Sequence, residues 1–371
     1  MDNFGHIQRD IIIEILSRLP VKSLLRFKCV CKSWLSTITD CSFVYKHFNM
    51  ARADCKKAQL LIKHYDVDTR EDVFSLFTND QLKAPTYLRL HTKPKRHFKV
   101  MGPCHGLLCL YDNSDELCLW NLATKEIKDI PKPPIPRDVE CLDSVLFGFG
   151  FDWKTRDYKV VKLLKKDCEE KNNDYHIHVY TLSSNSWRKL DVVLPAHLYI
   201  YIYFYGNSAY NNGTYYWWAD TVIVCFDMSN EQFGVIDLPE VVFPLVEREI
   251  AGNEYFTEYN GTLALIYWLV NEKHETWFEL WKMNGYGVTI TWTKQFSVGW
   301  LEVWLRPIGT FKHNRILFIN KDEEDTIVPY DHETRSLQIP LPVDSEIKIQ
   351  CSATETIAVL YSESLVSMGD G

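Results

Sequence analysis

The chain has no apolar run approaching the ~20 residues that a bilayer-spanning helix needs. Its most apolar stretch, Val192 to Tyr205, is interrupted by Pro195 and His197 and is expected to be buried strand, so no membrane role is expected. Met1 to His6 contain no basic segment leading into an apolar core, so no secretory leader is expected and the protein is placed in the cytosol or nucleus. No C-x-x-C pair occurs among the 11 cysteines, and the closest spacing is Cys29-x-Cys31, which predicts reduced thiols rather than zinc ligands or a disulfide framework. There is no H-E-x-x-H, no G-x-S-x-G and no Walker sequence, and no cofactor is expected. Basic residues are also outnumbered: 41 Lys and Arg face 49 Asp and Glu, a net charge of −8 that argues against nucleic acid as the partner.

Aromatic residues are plentiful, with 20 Tyr, 19 Phe and 12 Trp, a composition that favours strands. Charge is unevenly divided. Residues 1–50 carry 7 basic and 4 acidic side chains, net +3, so the rest of the chain is at net −11 and the two parts are expected to meet different partners. From Arg9 to Leu19, the residues Ile11, Ile12, Ile15, Leu16 and Leu19 fall on one helical stripe, with Ile13 on the far side. Leu19-Pro20-Val21 breaks that helix; a second is predicted over Lys22 to Phe27 and a third around Val30, Trp34, Leu35 and Ile38. A three-helix head of some forty residues buries little surface, so part of its apolar inventory should face either a partner or the following domain.

The run from Ile15 to Trp34, ILSRLPVKSLLRFKCVCKSW, followed by Phe43-Val44 and His47, resembles the F-box of plant F-box proteins. The usual Leu-Pro before the first helix is replaced by Ile7-Gln8. The resemblance implies docking to a Skp-type adaptor and, through it, to the cullin of an SCF ubiquitin ligase. Carried over by position, the contact residues would be Leu16, Leu19, Pro20, Leu24, Leu25, Val30, Cys31 and Trp34, with the basic excess suited to an acidic adaptor.

After Met50 the helical period gives way to short strand-like runs separated by turn residues. A weak repeat recurs in which an aromatic residue ends a strand, a polar turn follows and a second strand closes. Its anchors are Trp120, Tyr180, Phe226, Trp281 and Tyr330, spaced by about 50 residues, the period of a kelch-like propeller blade. Asn212-Gly213 and Asn260-Gly261 are expected to be tight hairpin turns. The fold class is therefore mainly β with a small all-α head, the body a propeller of about six blades, with a β-sandwich as the alternative. Residues 7–48 form the head, 49–97 a linker with the first strands, and 98–371 the body.

The body also resembles the F-box-associated domain of the same plant proteins. The matching motifs are Gly102-Pro103-Cys104-His105-Gly106, Phe147 to Asp152 leading to Asp157-Tyr158-Lys159-Val160-Val161, Cys225 to Ser229, Trp281 to Gly287 with Trp292-Thr293, and Glu363 to Ser367. Asn121-Leu122-Ala123-Thr124 stands where the family usually has Asn-Pro-Ala-Thr. Within the family the arrangement is most similar to S-locus F-box proteins, which implies a secreted ribonuclease of pollen self-incompatibility as cargo. The layout implies a non-catalytic substrate receptor. Two other readings stay open, an SCF receptor for an endogenous regulatory protein and a ligand- or glycan-sensing propeller using the aromatics of Tyr199 to Tyr205 and Tyr215-Tyr216-Trp217-Trp218.

Other features have simpler structural readings. Phe147-Gly148-Phe149-Gly150 lacks the third glycine and the helix of a phosphate loop, so its glycines are expected to permit a turn or close packing. Cys104-His105 is a poor nucleophile–base pair because adjacent strand residues face opposite sides. His176 and His178 share a strand face without a third ligand. The basic run His91 to Lys99 and the acidic run Asp322 to Asp325 are expected to be solvated. By length, the cargo loops would come from 132–144, 165–174, 239–257 and 295–308.

Overall fold

A computed structural model describes residues 9–54, 58–66, 70–78, 85–90, 98–112, 114, 116–134, 142–166, 174–192, 208–219, 222–239, 252–285, 290–311, 315–323, 326–338 and 356–369. The head contains α1 (Arg9–Ser17), α2 (Val21–Phe27), α3 (Lys32–Thr39) and α4 (Cys41–Ala53). Three helices lie where the sequence places them. The fourth extends the head past residue 48, and Asp40 starts it by accepting the backbone N–H groups of Ser42 (2.9 Å) and Phe43 (3.3 Å). Pro20 is extended and separates α1 from α2. His47 of α4 reaches back to that break, its Nε2 lying 2.8 Å from the Leu19 carbonyl oxygen.

The head's core is Leu16, Val21, Leu24, Ile38 and Phe43, joined by Leu365 from the far end of the chain. The buried face of α1 is rotated from the expected stripe. Ile13, placed on the far side by sequence, is half-buried against this core, whereas Ile11 and Ile15 are 50% and 52% exposed.

The body is a ring of six four-stranded antiparallel sheets. The second blade consists of Lys99–Cys104, Leu107–Tyr111, Leu117–Asn121 and Glu126–Ile130, from the axis outward. The third uses Leu142–Asp152, Asp157–Lys166, Asp174–Thr181 and Ser186–Leu190; the fourth Ser208–Asn211, Thr214–Ala219, Val222–Asp227 and Gln232–Asp237. The fifth runs from Gly252–Tyr259 to Thr291–Leu301 and the sixth from Leu305–Phe311 to Ser336–Leu337. The first blade takes Gln59–Asp66, Glu71–Phe77 and Thr86–Arg89 from the start of the body and its innermost strand, Ile357–Tyr361, from the end, which closes the ring.

Each blade packs between two neighbours, so its middle strands are buried on both faces: all five residues of Leu117–Asn121 are buried, while the outer strand Ser186–Leu190 is largely exposed. A sandwich of two sheets is thereby replaced by six separate ones. The aromatic anchors Trp120, Tyr180, Phe226, Trp281 and Tyr330 all lie on third strands. The turn that follows has a repeated cause: the side-chain oxygens of Asn121, Asp227 and Asp331 each accept two backbone N–H groups, and Lys125, Glu231 and Arg335 close the turn at positive φ. Asn212-Gly213 and Asn260-Gly261 form hairpin turns with positive φ at both residues, as expected.

Candidate functional site

Among the residues carried over from the resemblance, Pro20, Val30 and Cys31 are exposed, Leu19, Leu25 and Trp34 are half-buried, and Leu16 and Leu24 are fully buried. The last two fill the head's own core, so as packed they present no surface to a partner. Trp34 rests edge-on against Phe27, with ring centroids 5.2 Å apart. Ile11 and Ile15 on α1 and Leu35 on α3 are exposed apolar side chains that positional carry-over missed. The burial of Ile13 and Ser17 is what turns Ile11 and Ile15 outward, and a wheel centred on Leu16 instead of on the widest apolar arc would have found them. Lys22, Arg26 and Lys32 are also exposed, and among the described residues they have no ion-pair partner.

The opposite side of the head is fixed to the propeller by the C-terminal segment Ser362 to Gly369. Glu363 Oε2 accepts the Val21 N–H at 3.3 Å and Leu365 enters the head's core. On the propeller side, Asn121 Nδ2 donates to the carbonyls of Ser364 (3.1 Å) and Val366 (2.7 Å), and Lys128 Nζ donates to Met368 (3.0 Å) and Gly369 (3.3 Å). A second clamp is the ion pair of Arg52 on α4 with Glu258, at 2.8 Å. The helical surface is therefore held at a defined orientation to the ring.

His105 lies in this joint. It occupies a hairpin turn at φ +46, and its ring packs on Phe48, Phe151 and Trp153 with centroids 5.4, 4.6 and 5.3 Å away. Burial, with a smaller contribution from the Arg52 charge, holds its pKa down at about 4, so the ring is neutral at physiological pH. Burial likewise pushes the neighbouring Cys104 thiol well up, keeping it protonated. The two residues serve the hairpin and the joint.

Gly148 and Gly150 lie within a strand because the rings of Trp217 and Tyr210 occupy the space a Cβ would need. Tyr215, Tyr216 and Trp217 are buried core, Trp218 is half-buried with its ring 6.3 Å from those of Phe256 and Tyr267, and Tyr199 to Tyr205 lie outside the described residues. His178 is buried and burial lowers its pKa. Among the described residues no group of three or more His, Cys, Asp or Glu is placed to hold a metal ion. Phe98 is buried, and His91 to His97 lie outside the described residues, as do Glu324 and Asp325. Asp322 accepts the Trp304 N–H at 2.7 Å and stabilises a turn. Of the four loops proposed by length, 295–308 is mostly strand, 252–257 is strand, and 135–141, 167–173 and 240–251 lie outside the described residues.

With this geometry in place, two domain families match the sequence: an F-box domain over residues 6–46 and an F-box associated beta propeller domain over residues 67–368. The curated relatives include an F-box/kelch-repeat protein of Arabidopsis thaliana, 31% identical over 80% of this chain and 80% of its own length. The Arabidopsis thaliana F-box protein CPR1 is 25% identical over 87% of this chain and 79% of its length. The F-box/WD-40 repeat-containing protein 1 of the same plant is 29% identical over 77% and 67%.

Proposed function

The chain belongs to the family of F-box proteins that carry an F-box-associated β-propeller domain, and from that premise we propose that it is the substrate-recognition subunit of an SCF-type ubiquitin ligase. The head docks to a Skp-type adaptor and through it to a cullin, and the propeller holds the protein to be ubiquitinated. The chain contributes proximity and selection, while the chemistry is carried out by the enzymes the scaffold brings.

One observation carries this reading. The head leaves Ile11, Ile15, Val30 and Leu35 exposed on the elements α1, the α2–α3 turn and α3, while Leu365 and Glu363 bind its other side to the propeller. Exposed apolar side chains with Lys22, Arg26 and Lys32 beside them in sequence, unpaired among the described residues, suit an acidic partner with an apolar centre. The adaptor contact is assigned to Leu19, Pro20, Leu25, Val30, Cys31 and Trp34 together with Ile11, Ile15 and Leu35. Titration of a purified Skp-type adaptor into the full chain tests it: the pair Ile15→Asp and Leu35→Asp should weaken binding by at least roughly tenfold while circular dichroism stays native. Equal binding by the folded variant and the wild type would reject the assignment.

The cargo is the finer step. The motif resemblance to S-locus F-box proteins and the net charge of −11 beyond residue 50 support a basic secreted ribonuclease, met in the cytosol after uptake. An endogenous basic regulatory protein is the second reading, supported by the same charge. A purified ribonuclease of that class that fails to bind the full chain at low salt removes the first and leaves the adaptor assignment untouched.

A further inference from the structure

The joint between head and propeller forms an open cleft of about 660 Å³. Its size falls within the range of small-molecule sites. Three parts of the chain build it: α3 and α4 of the head, the hairpin turns of the second and third blades, and the C-terminal segment. Its wall is aromatic, formed by Tyr45, Phe48, Phe151, Trp153 and Tyr158. These rings meet edge to face, with centroids 5.5 Å apart for Tyr45 and Trp153 and 5.0 Å apart for Phe151 and both Trp153 and Tyr158. Tyr45 and Trp153 are each 42% exposed and touch each other, so together they make one contiguous exposed aromatic patch.

The charges around this wall are not balanced. Asp157, the carboxylate lining the cavity, is already engaged by the Ser183 N–H at 3.1 Å, and Lys128 is engaged by the carbonyls of Met368 and Gly369. Lys28 and Arg156 also line the cavity, and among the described residues neither has an ion-pair partner. Two uncommitted cations beside a set of open ring edges and faces fit an organic anion with a flat apolar body.

We propose that this cavity binds a small aromatic carboxylate, its ring held by Tyr45, Phe151 and Trp153 and its carboxylate by Arg156 and Lys28. Because the site is shared by the head and the propeller, the bound molecule stabilises their mutual placement by mass action. Binding is measured on the full chain without any adaptor, so the result is independent of the receptor reading.

The probe is 2-naphthoate, with 2-naphthylmethanol as its uncharged counterpart, titrated into the full chain by calorimetry and followed by ligand-observed NMR. Saturable one-to-one binding of the naphthoate is expected. Lys28→Gln with Arg156→Gln should weaken the naphthoate by at least roughly tenfold and leave the alcohol unchanged. Trp153→Ala should weaken both. Lys28 and Arg156 have no described partner to lose, so these variants fold, and a native dichroism spectrum confirms it. No saturable binding at millimolar naphthoate overturns the proposal. Binding that survives both sets of variants also overturns it, as does equal loss of the two probes in the charge variant.

Discussion

Glu363 accepts a hydrogen bond from the backbone N–H of Val21, 342 positions earlier in the chain, and two residues later Leu365 is buried in the same helical core. The last described segment thus completes the first folded element, and the head depends on the propeller being closed. Leu365→Ala should cost about 2–5 kcal/mol, the range for emptying a buried leucine site. In urea, the helical signal of the variant should fall before the tryptophan fluorescence of the sheets, where the wild type shows one shared transition. Coincident and unshifted transitions would count against the coupling.

Leu24 and Val30 separate core from the proposed adaptor surface within one motif. Leu24 is fully buried and Val30 is 55% exposed. Leu24→Ala should lower stability by about 2–5 kcal/mol. Val30→Ala should change it by no more than ~0.5 kcal/mol while weakening adaptor binding. Urea melts paired with adaptor titrations distinguish the two, and similar stability losses for both would remove the distinction.

Gly106 and Gly261 both sit in hairpin turns at positive φ, +79° and +72°. A Cβ on Gly261 meets nothing within 4 Å, whereas one on Gly106 would lie 2.5 Å from the Ser364 Cβ and 2.8 Å from the Ser362 carbonyl oxygen. Gly261→Ala should cost only the left-handed backbone penalty of about 1–2 kcal/mol. Gly106→Ala should cost a further 1–3 kcal/mol or so, because the C-terminal segment must move. Thermal unfolding of the two variants gives the comparison, and equal shifts would mean that the segment yields freely.

The propeller was legible wherever strand, turn and chain order coincide. Five aromatic anchors mark five third strands, because the same Asx turn follows most of them and the same radial packing buries them. The first blade escaped because its strands come from both ends of the body, so no contiguous copy of the repeat exists. On the head, helix positions were readable but facing was not. The widest apolar arc of α1 includes Ile11 and Ile15, yet the core takes the side of Leu16 and Ile13, a choice made by α4 and Leu365. The cavity at the joint had no sequence signal, since its wall comes from residues more than 100 positions apart whose rings are ordinary strand and helix residues one by one.

His64, in the inner part of the first blade, supplies a pH dependence. Burial, reinforced by Lys63 and Arg89 and opposed by Asp66, lowers its pKa from 6.5 to about 4. The unfolded chain takes up this proton as pH falls below about 6.5, and the folded chain does so only near 4. Stability is therefore full above that window and declines through it, by about 3 kcal/mol for a shift of this size. His105 acts in the same direction. Urea midpoints at pH 7 and 4.5 should differ less in His64→Gln than in the wild type. An unchanged acid slope would reject the contribution.

Lys159 joins the third blade to the fourth. Its Nζ lies 2.6 Å from Asp152 Oδ2, 2.7 Å from Glu231 Oε1 and 2.8 Å from the Met228 carbonyl oxygen, and the Lys159 and Asp152 side chains are nearly inaccessible to water. Burial alone would raise the Asp152 pKa. Hydrogen bonds from Lys159, Ser229, Thr155 and the Lys154 N–H outweigh it and hold the carboxyl well below the usual range. Lys159→Met strands that carboxylate and should cost about 3–5 kcal/mol. Asp152→Asn keeps an oxygen for the turn N–H groups while removing the charge, so adding it to Lys159→Met should recover at least ~1 kcal/mol relative to the sum of the single losses. A double-mutant cycle in urea measures this directly. A coupling energy near zero would mean that the Asp152 to Lys159 motif serves turn geometry alone, and that packing between Gly150 and Tyr210 joins the blades.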